Sequence, residues 1–204
     1  MFTSYFFVVA AINAMYPGMS WSISGDIKNG NIFTVLTRPI SYVKAILTSA
    51  VANFGFDTIA LALPIMVLLY IFSGAVINLP TFLLFILSVL IMFVMAFMLE
   101  FFLGYLAFFI VEISGIVNLV YFVVEFAGGG FIPLNLLPSS ISTVTALLPF
   151  QFMQYVPAAI FTHAITNAQT IALLPIAALW IVVLLGMDAA IWYIARKHMD
   201  VVGV

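Results

Sequence analysis

The stretch TFLLFILSVLIMFVMAFMLEFFLGYLAFFIV, residues 81–111, decides the fold, because its only charged residue is Glu100. A helix rises 1.5 Å per residue, so about 20 apolar residues cross the ~30 Å of hydrocarbon in a bilayer. This run is longer than that. Strands of a membrane barrel would alternate apolar and polar residues over about ten positions, and no such alternation is present. The rest of the chain agrees. Of 204 residues, 66% are hydrophobic and 6% charged, against about 45–50% and about 25% in a soluble domain. The composition therefore specifies an all-α, polytopic transmembrane helix bundle forming a single transmembrane domain over 1–204. A net charge of −2 without any basic run excludes a nucleic-acid partner, and the absence of cysteine excludes disulfides and thiolate metal sites.

Working outward from residues 81–111, a second long apolar run covers about Ala45 to Phe72, and the two are separated by Ser73-Gly74, Asn78 and Pro80. A turn at Glu112 to Gly115 leads into a shorter run that ends at Gly128-Gly129-Gly130. The last span is expected from about Ile171 to Ala195, before Arg196-Lys197-His198. At the other end, Phe2 to about Ile23 is long enough to span, although it contains Ser4, Asn13, Pro17 and Ser20. With no Lys or Arg before Lys28 it lacks the basic start of a signal peptide, so it is read as a retained span. Residues 131–169 are apolar but broken by Pro133, Pro138, Pro149 and Pro157. Proline removes a helix hydrogen bond each time, so an outer re-entrant helical hairpin is expected here, giving about five spans in all.

All five cationic side chains fall in two places: Lys28, Arg38 and Lys44 between the first two spans, and Arg196 and Lys197 at the C-terminal end. The positive-inside rule puts both in the cytoplasm. Four crossings between them satisfy the parity if segment 131–169 re-enters without crossing.

The most polar stretch, Trp21 to Lys44, is expected outside the hydrocarbon. Within it, Ile32, Val35 and Leu36 stand at i, i+3 and i+4, the spacing of one helical face, and Pro39 discourages helix near Arg38. A short amphipathic helix there has two readings: a loop resting on lipid headgroups, or a docking element for a cytoplasmic protein.

A resemblance bears on that choice. Asp26-Ile-Lys28-Asn-Gly30 followed by Leu36-Thr-Arg38-Pro39-Ile-Ser41 resembles the loop before the third span in permeases of the ABC-2 type exporter family. There it flanks the coupling helix that contacts the ATPase subunit. Gly129-Gly130-Phe131-Ile132-Pro133-Leu134, Leu137-Pro138, Leu148-Pro149-Phe150 and Tyr155-Val156-Pro157-Ala158 resemble the outer re-entrant hairpin of the same family. Such permeases usually have six spans, so the resemblance implies that this chain lacks the first, through an internal start or a truncation. Where the family pattern after Pro157 commonly ends in a Leu-Gly pair, this chain has Phe161-Thr162-His163.

The resemblance implies a non-catalytic permease subunit in the cell membrane, working as a homodimer or with a paralogous second copy. The ATP-binding-cassette ATPase partner, carrying ATP and magnesium, is a separate chain. Asp26, Lys28, Gly30, Ile32, Val35, Leu36, Arg38 and Pro39 form the expected ATPase-coupling loop. This chain has no G-x-x-x-x-G-K-[ST] phosphate loop, and Gly128–Gly130 lack the following Lys and Ser or Thr.

Acids inside apolar spans are costly, and each needs a partner, a proton or water. Asp57, Glu100 and Glu125 are candidates for a substrate path or, alternatively, for buried carboxylates holding helices together. Asp188, about two turns before Arg196, reads as structural. A different class of function, a proton-coupled secondary transporter, would use the same three acids as proton sites. His163 and His198 have no second ligand at metal spacing, so no metal site is expected, and no nucleophilic triad can be assembled.

Overall fold

The computed structural model describes residues 2–31, 42–73, 78–110 and 112–201, and among them it is helical without strands. Four helical segments are long and apolar enough to cross a bilayer: Thr3–Lys28, Tyr42–Phe72, Leu79–Phe108 and Asn167–Ala195. A fifth, Ser114–Ala127, is apolar but short. The bundle is all-α and polytopic, as the composition requires.

The first segment is two helices, α1 (Phe2–Ala14) and α2 (Met19–Lys28). The break has a local cause. Met15 and Tyr16 donate to the carbonyls of Ile12 and Asn13 in tightened turns, and Pro17 has no N–H with which to continue. Gly18 takes a left-handed φ of 53°, which costs glycine little. The helix then restarts and runs past Ile23 to Lys28, so the first eight residues of the stretch expected outside the hydrocarbon are helical. Ser20, Ile23 and Ser24 are buried, forming one face against the third span rather than a solvated loop. Gly104 permits that approach, because a Cβ there would lie 2.6 Å from Ile23 Cβ.

The second span comprises α3 (Tyr42–Asp57), a widened π turn (Thr58–Ala62) and α4 (Leu63–Ser73). Pro64 accounts for the π turn: it gives no N–H to the Ala60 carbonyl and its ring crowds that oxygen, and one extra residue in the turn relieves both problems. The third span, α5 (Leu79–Tyr105), opens with Asn78 accepting from Thr81 N at 2.9 Å and has Pro80 in its first turn. It is the centre of the bundle, packing against α2, the last helix and the hairpin.

Helix α6 (Ser114–Ala127) rises about 21 Å at 1.5 Å per residue, too little to cross alone. It stops at the buried Gly128–Gly130, and the chain continues through α7 (Ser139–Thr145), a 3₁₀ turn at Pro149–Phe152 and α8 (Tyr155–Phe161), so the segment expected as a hairpin is a helix pair bent by 79°. Tyr155 to Ile160 are all buried. Irregular backbone within a membrane protein needs internal partners. Here Gly128 O accepts from Tyr155 N at 2.9 Å, and Gly129 O accepts from the Tyr5 hydroxyl at 2.9 Å.

Helix α8 closes with His163 N donating to Ile160 O and Ala164 N donating to Ala159 O, the paired bonds of a Schellman ending. His163 sits at φ 55°, so the residue that departs from the Leu-Gly pattern takes the left-handed conformation glycine usually supplies. The final helix, α9 (Asn167–Val201), begins with a reciprocal cap: Thr166 N donates to Gln169 Oε1 at 2.8 Å and Gln169 N to Thr166 Oγ1 at 3.3 Å. Its buried residues Thr170, Ala177, Leu184 and Ile191 recur every seven positions, with Ala195 one turn further on, a narrow seam that leaves most of the helix outward-facing.

Candidate functional site

Both flanks of the expected coupling loop are anchored to one end of the bundle. Asn29 N donates to Gly25 O and Gly30 N to Ile27 O, with Gly30 at φ 72°, which ends α2. Asp26, on the last turn of α2, accepts from the Tyr42 hydroxyl at 3.1 Å, tying α2 to the start of α3. Lys28 Nζ pairs with Glu112 Oε2 at 3.3 Å, tying α2 to the α5–α6 turn. Glu112 also accepts from Ser114 N at 3.1 Å. The Ser114 bonds first, and Lys28 second, hold its carboxyl below the ordinary value. Ile32, Val35, Leu36, Arg38 and Pro39 lie outside the described residues. Of the expected loop set, Asp26, Lys28 and Gly30 are brought to this one corner.

These contacts also bear on the crossing parity. The α2–α3 connection and the α5–α6 turn share an end through Lys28 and Glu112. At the opposite end Thr81 Oγ1 donates to Asn167 Oδ1 at 3.0 Å, joining the starts of α5 and α9. Between these ends the first segment runs antiparallel to α6 along a polar ladder: Ser20 Oγ and Tyr121 Oη 3.4 Å apart, Asn13 Nδ2 to Glu125 Oε1 at 2.8 Å, and Tyr5 to Gly129.

The three intramembrane acids are not gathered into one site. Glu100 is fully buried, and its Oε2 accepts from Ser20 N at 2.8 Å. That amide is one of the unsatisfied donors in the first turn of α2, so the carboxylate caps the helix restarted after Gly18 and meets the positive end of its dipole. Tyr121 faces the same carboxylate. Glu125 sits further along α6, in a network with Asn13 and Gln154, whose Nε2 donates to Asn13 Oδ1 at 2.9 Å. Asp57 is half-buried at the entry to the π turn, and no hydrogen bond to it is found among the described residues. Asp188 leaves a buried Oδ1 without a partner among the described residues.

Beside the π turn lies an apolar cavity of about 450 Å³, lined by Met15, Thr58, Ala62, Phe85, Val89 and Phe161 among others. It lies between the second span, α5 and the end of α8. No cluster of three or more His, Cys, Asp or Glu suited to a metal occurs among the described residues.

Sequence reasoning missed the partners more than the acids. Ser20 stands 80 residues from Glu100, and Asn13 stands 112 from Glu125 and 141 from Gln154, so no local motif joins them. The one usable signal is that an uncompensated polar group in an apolar span demands another. Asn13 and Glu125 each stand out on that ground.

Comparisons with known proteins come down on the same side as the geometry. No curated protein and no solved structure matches the chain. Residues 1–200 match the family described as ABC-2 family transporter protein, and with nearly the whole chain covered, this multi-pass membrane protein belongs to the ABC-2 transporter family.

Proposed function

We propose that the chain is the membrane-spanning subunit of an exporter in the cell membrane, driven by ATP hydrolysis in a separate ATP-binding-cassette chain that holds ATP and magnesium. The observation that carries this reading is the family match across residues 1–200. In it the Lys28–Glu112 end of the bundle faces the cytoplasm, as the clustering of Lys and Arg indicates. The chain itself contributes no chemistry. A second permease copy completes the transporter, and substrate passes between the two copies.

The anchored flanks of the 26–42 region support the coupling role. A push on the loop is delivered to α2 through Asp26 and Lys28, to α3 through Tyr42 and to the α5–α6 turn through Glu112. Glu100 then ties α2 to the central helix. These links let one distant event bias the arrangement of four helices together, the requirement for driving a two-state transport cycle.

Replacing Ile32, Val35 and Leu36 together with Asp removes the apolar face of the loop. The expected result is loss of the ATPase from a mild-detergent co-purification while membrane insertion is retained. Undiminished co-purification would sink the docking role.

A further inference from the structure

We propose that Glu125 and Gln154 form a binding site for a small monovalent cation beside Gly130, between α6 and the hairpin. Asn13 turns its Nδ2 toward Glu125 Oε1 at 2.8 Å, so that carboxyl oxygen accepts. Asn13 Oδ1 is then left to accept from Gln154 Nε2 at 2.9 Å. Gln154 is 1% exposed, and its remaining atom, Oε1, is buried without a partner among the described residues.

That oxygen meets a second acceptor. A Cβ at position 130 would overlap both Gln154 Oε1 and Glu125 Oε2, so both oxygens lie against the Cα of Gly130, an approach that only glycine permits. Two acceptors with nothing positive between them repel. Reversing both amides gives no relief, because Asn13 Oδ1 would then oppose Glu125 Oε1. The neighbouring phenols cannot supply the missing hydrogen: Tyr5 donates to Gly129 O at 2.9 Å and Tyr16 to Met153 Sδ at 3.8 Å. No Lys or Arg occurs in α6 or the hairpin, since the five stand at 28, 38, 44, 196 and 197.

A cation resolves each of these conflicts. Carboxylate and carbonyl oxygens are the ligands that hard cations prefer, and one carboxylate balances one positive charge. Phe150 O borders the same glycine segment, 2.8 Å from where a Cβ on Gly128 would lie, with Gln154 Oε1 at 3.3 Å from that point. That carbonyl accepts from Met153 N at 3.0 Å and keeps a second lone pair. The ion would also neutralise a carboxylate that otherwise stands in an apolar span without a charged partner.

The test is thermal unfolding of the purified full chain in detergent, in sodium or potassium chloride against choline chloride at equal ionic strength. The wild type is expected to gain roughly 2–4 °C, saturably, from at least one of the two ions, as a ligand bound only to the native state would give. Gly130→Ala, whose Cβ would push both oxygens aside, should lose that response. Glu125→Gln provides the sharper arm, because its amide can donate to Gln154 Oε1 and close the network without an ion. It should unfold in choline at the temperature the wild type reaches in saturating cation, and respond to neither salt. A wild type indifferent to both ions would mean that water or a proton separates the oxygens, and would overturn the proposal. So would a Glu125→Gln variant that responds as the wild type does.

Discussion

The second and third spans have similar length yet occupy opposite environments. Tyr42–Phe72 and Leu79–Phe108 run for 31 and 30 residues, and within the most apolar stretch of each, 6% of residues are buried in the former and 44% in the latter. The more hydrophobic of the two is the more buried, but hydrophobicity is not what buries it. Lipid tails are as apolar as leucine, so helices in a bilayer associate through close packing and polar pairing. α5 offers both: Gly104 against Ile23, and Glu100 against the exposed amide end of α2. The second span offers Gly55, where an added Cβ would meet nothing within 4 Å, and Asp57, for which no hydrogen bond is found among the described residues.

The two spans differ most at their glycines. Gly104→Leu drives a side chain into Ile23 and should cost about 3 kcal/mol, the upper part of the usual overpacking range. For a chain of this size that corresponds to a fall in unfolding temperature of about 10 °C. Gly55→Leu should stay within about 1 kcal/mol of the wild type, with any change toward greater helix stability. Equal losses from the two variants would show that the second span is packed against something other than lipid in the purified protein.

The acids give the next largest contrast. Glu100→Ala strands the Ser20 N–H in a buried site and should cost about 1–3 kcal/mol, read by thermal unfolding. Glu100→Gln keeps an acceptor and should recover most of that loss. Asp57→Ala should change stability by no more than about 0.5 kcal/mol, because no hydrogen bond among the described residues is lost. If Asp57→Ala leaves stability intact but alters export, the half-buried acid belongs to the transport path.

The smallest effect belongs to the exposed Lys28–Glu112 pair. A carboxyl held below its ordinary value stabilises the fold at pH above that value, and the contribution disappears as pH falls through the lowered one. A pH series of unfolding temperatures for wild type and Lys28→Ala should therefore differ above the ordinary glutamate range and converge in acid. High salt should shrink the difference, as it does for exposed pairs.

Much of the fold was legible in the residues. The long apolar runs located the second, third and last spans to within a few residues, and the prolines and glycines after Ala127 announced the interrupted helices that follow. The end of the first span was not legible, since Ser20 and Ser24 read as polar loop residues. In the bundle both are buried, and the Ser20 N–H meets Glu100 of α5 while its hydroxyl lies 3.4 Å from that of Tyr121 on α6. Glu100 and Glu125 stood out as acids needing partners, but Ser20 is 80 residues from Glu100 and Gln154 is 141 from Asn13, and no local pattern links residues so far apart.

The amino-acid sequence by itself determined that this chain crosses a membrane as helices, and about how often. Transfer from water to hydrocarbon is close to a sum over consecutive residues, so it can be read from a window of the chain. Only the tertiary structure decided that α5 is the hub, that Glu100 caps α2 and that Glu125 and Gln154 share one spot beside Gly130. Those outcomes depend on which faces meet, and in lipid that choice rests on a few close approaches and polar pairs rather than on hydrophobicity.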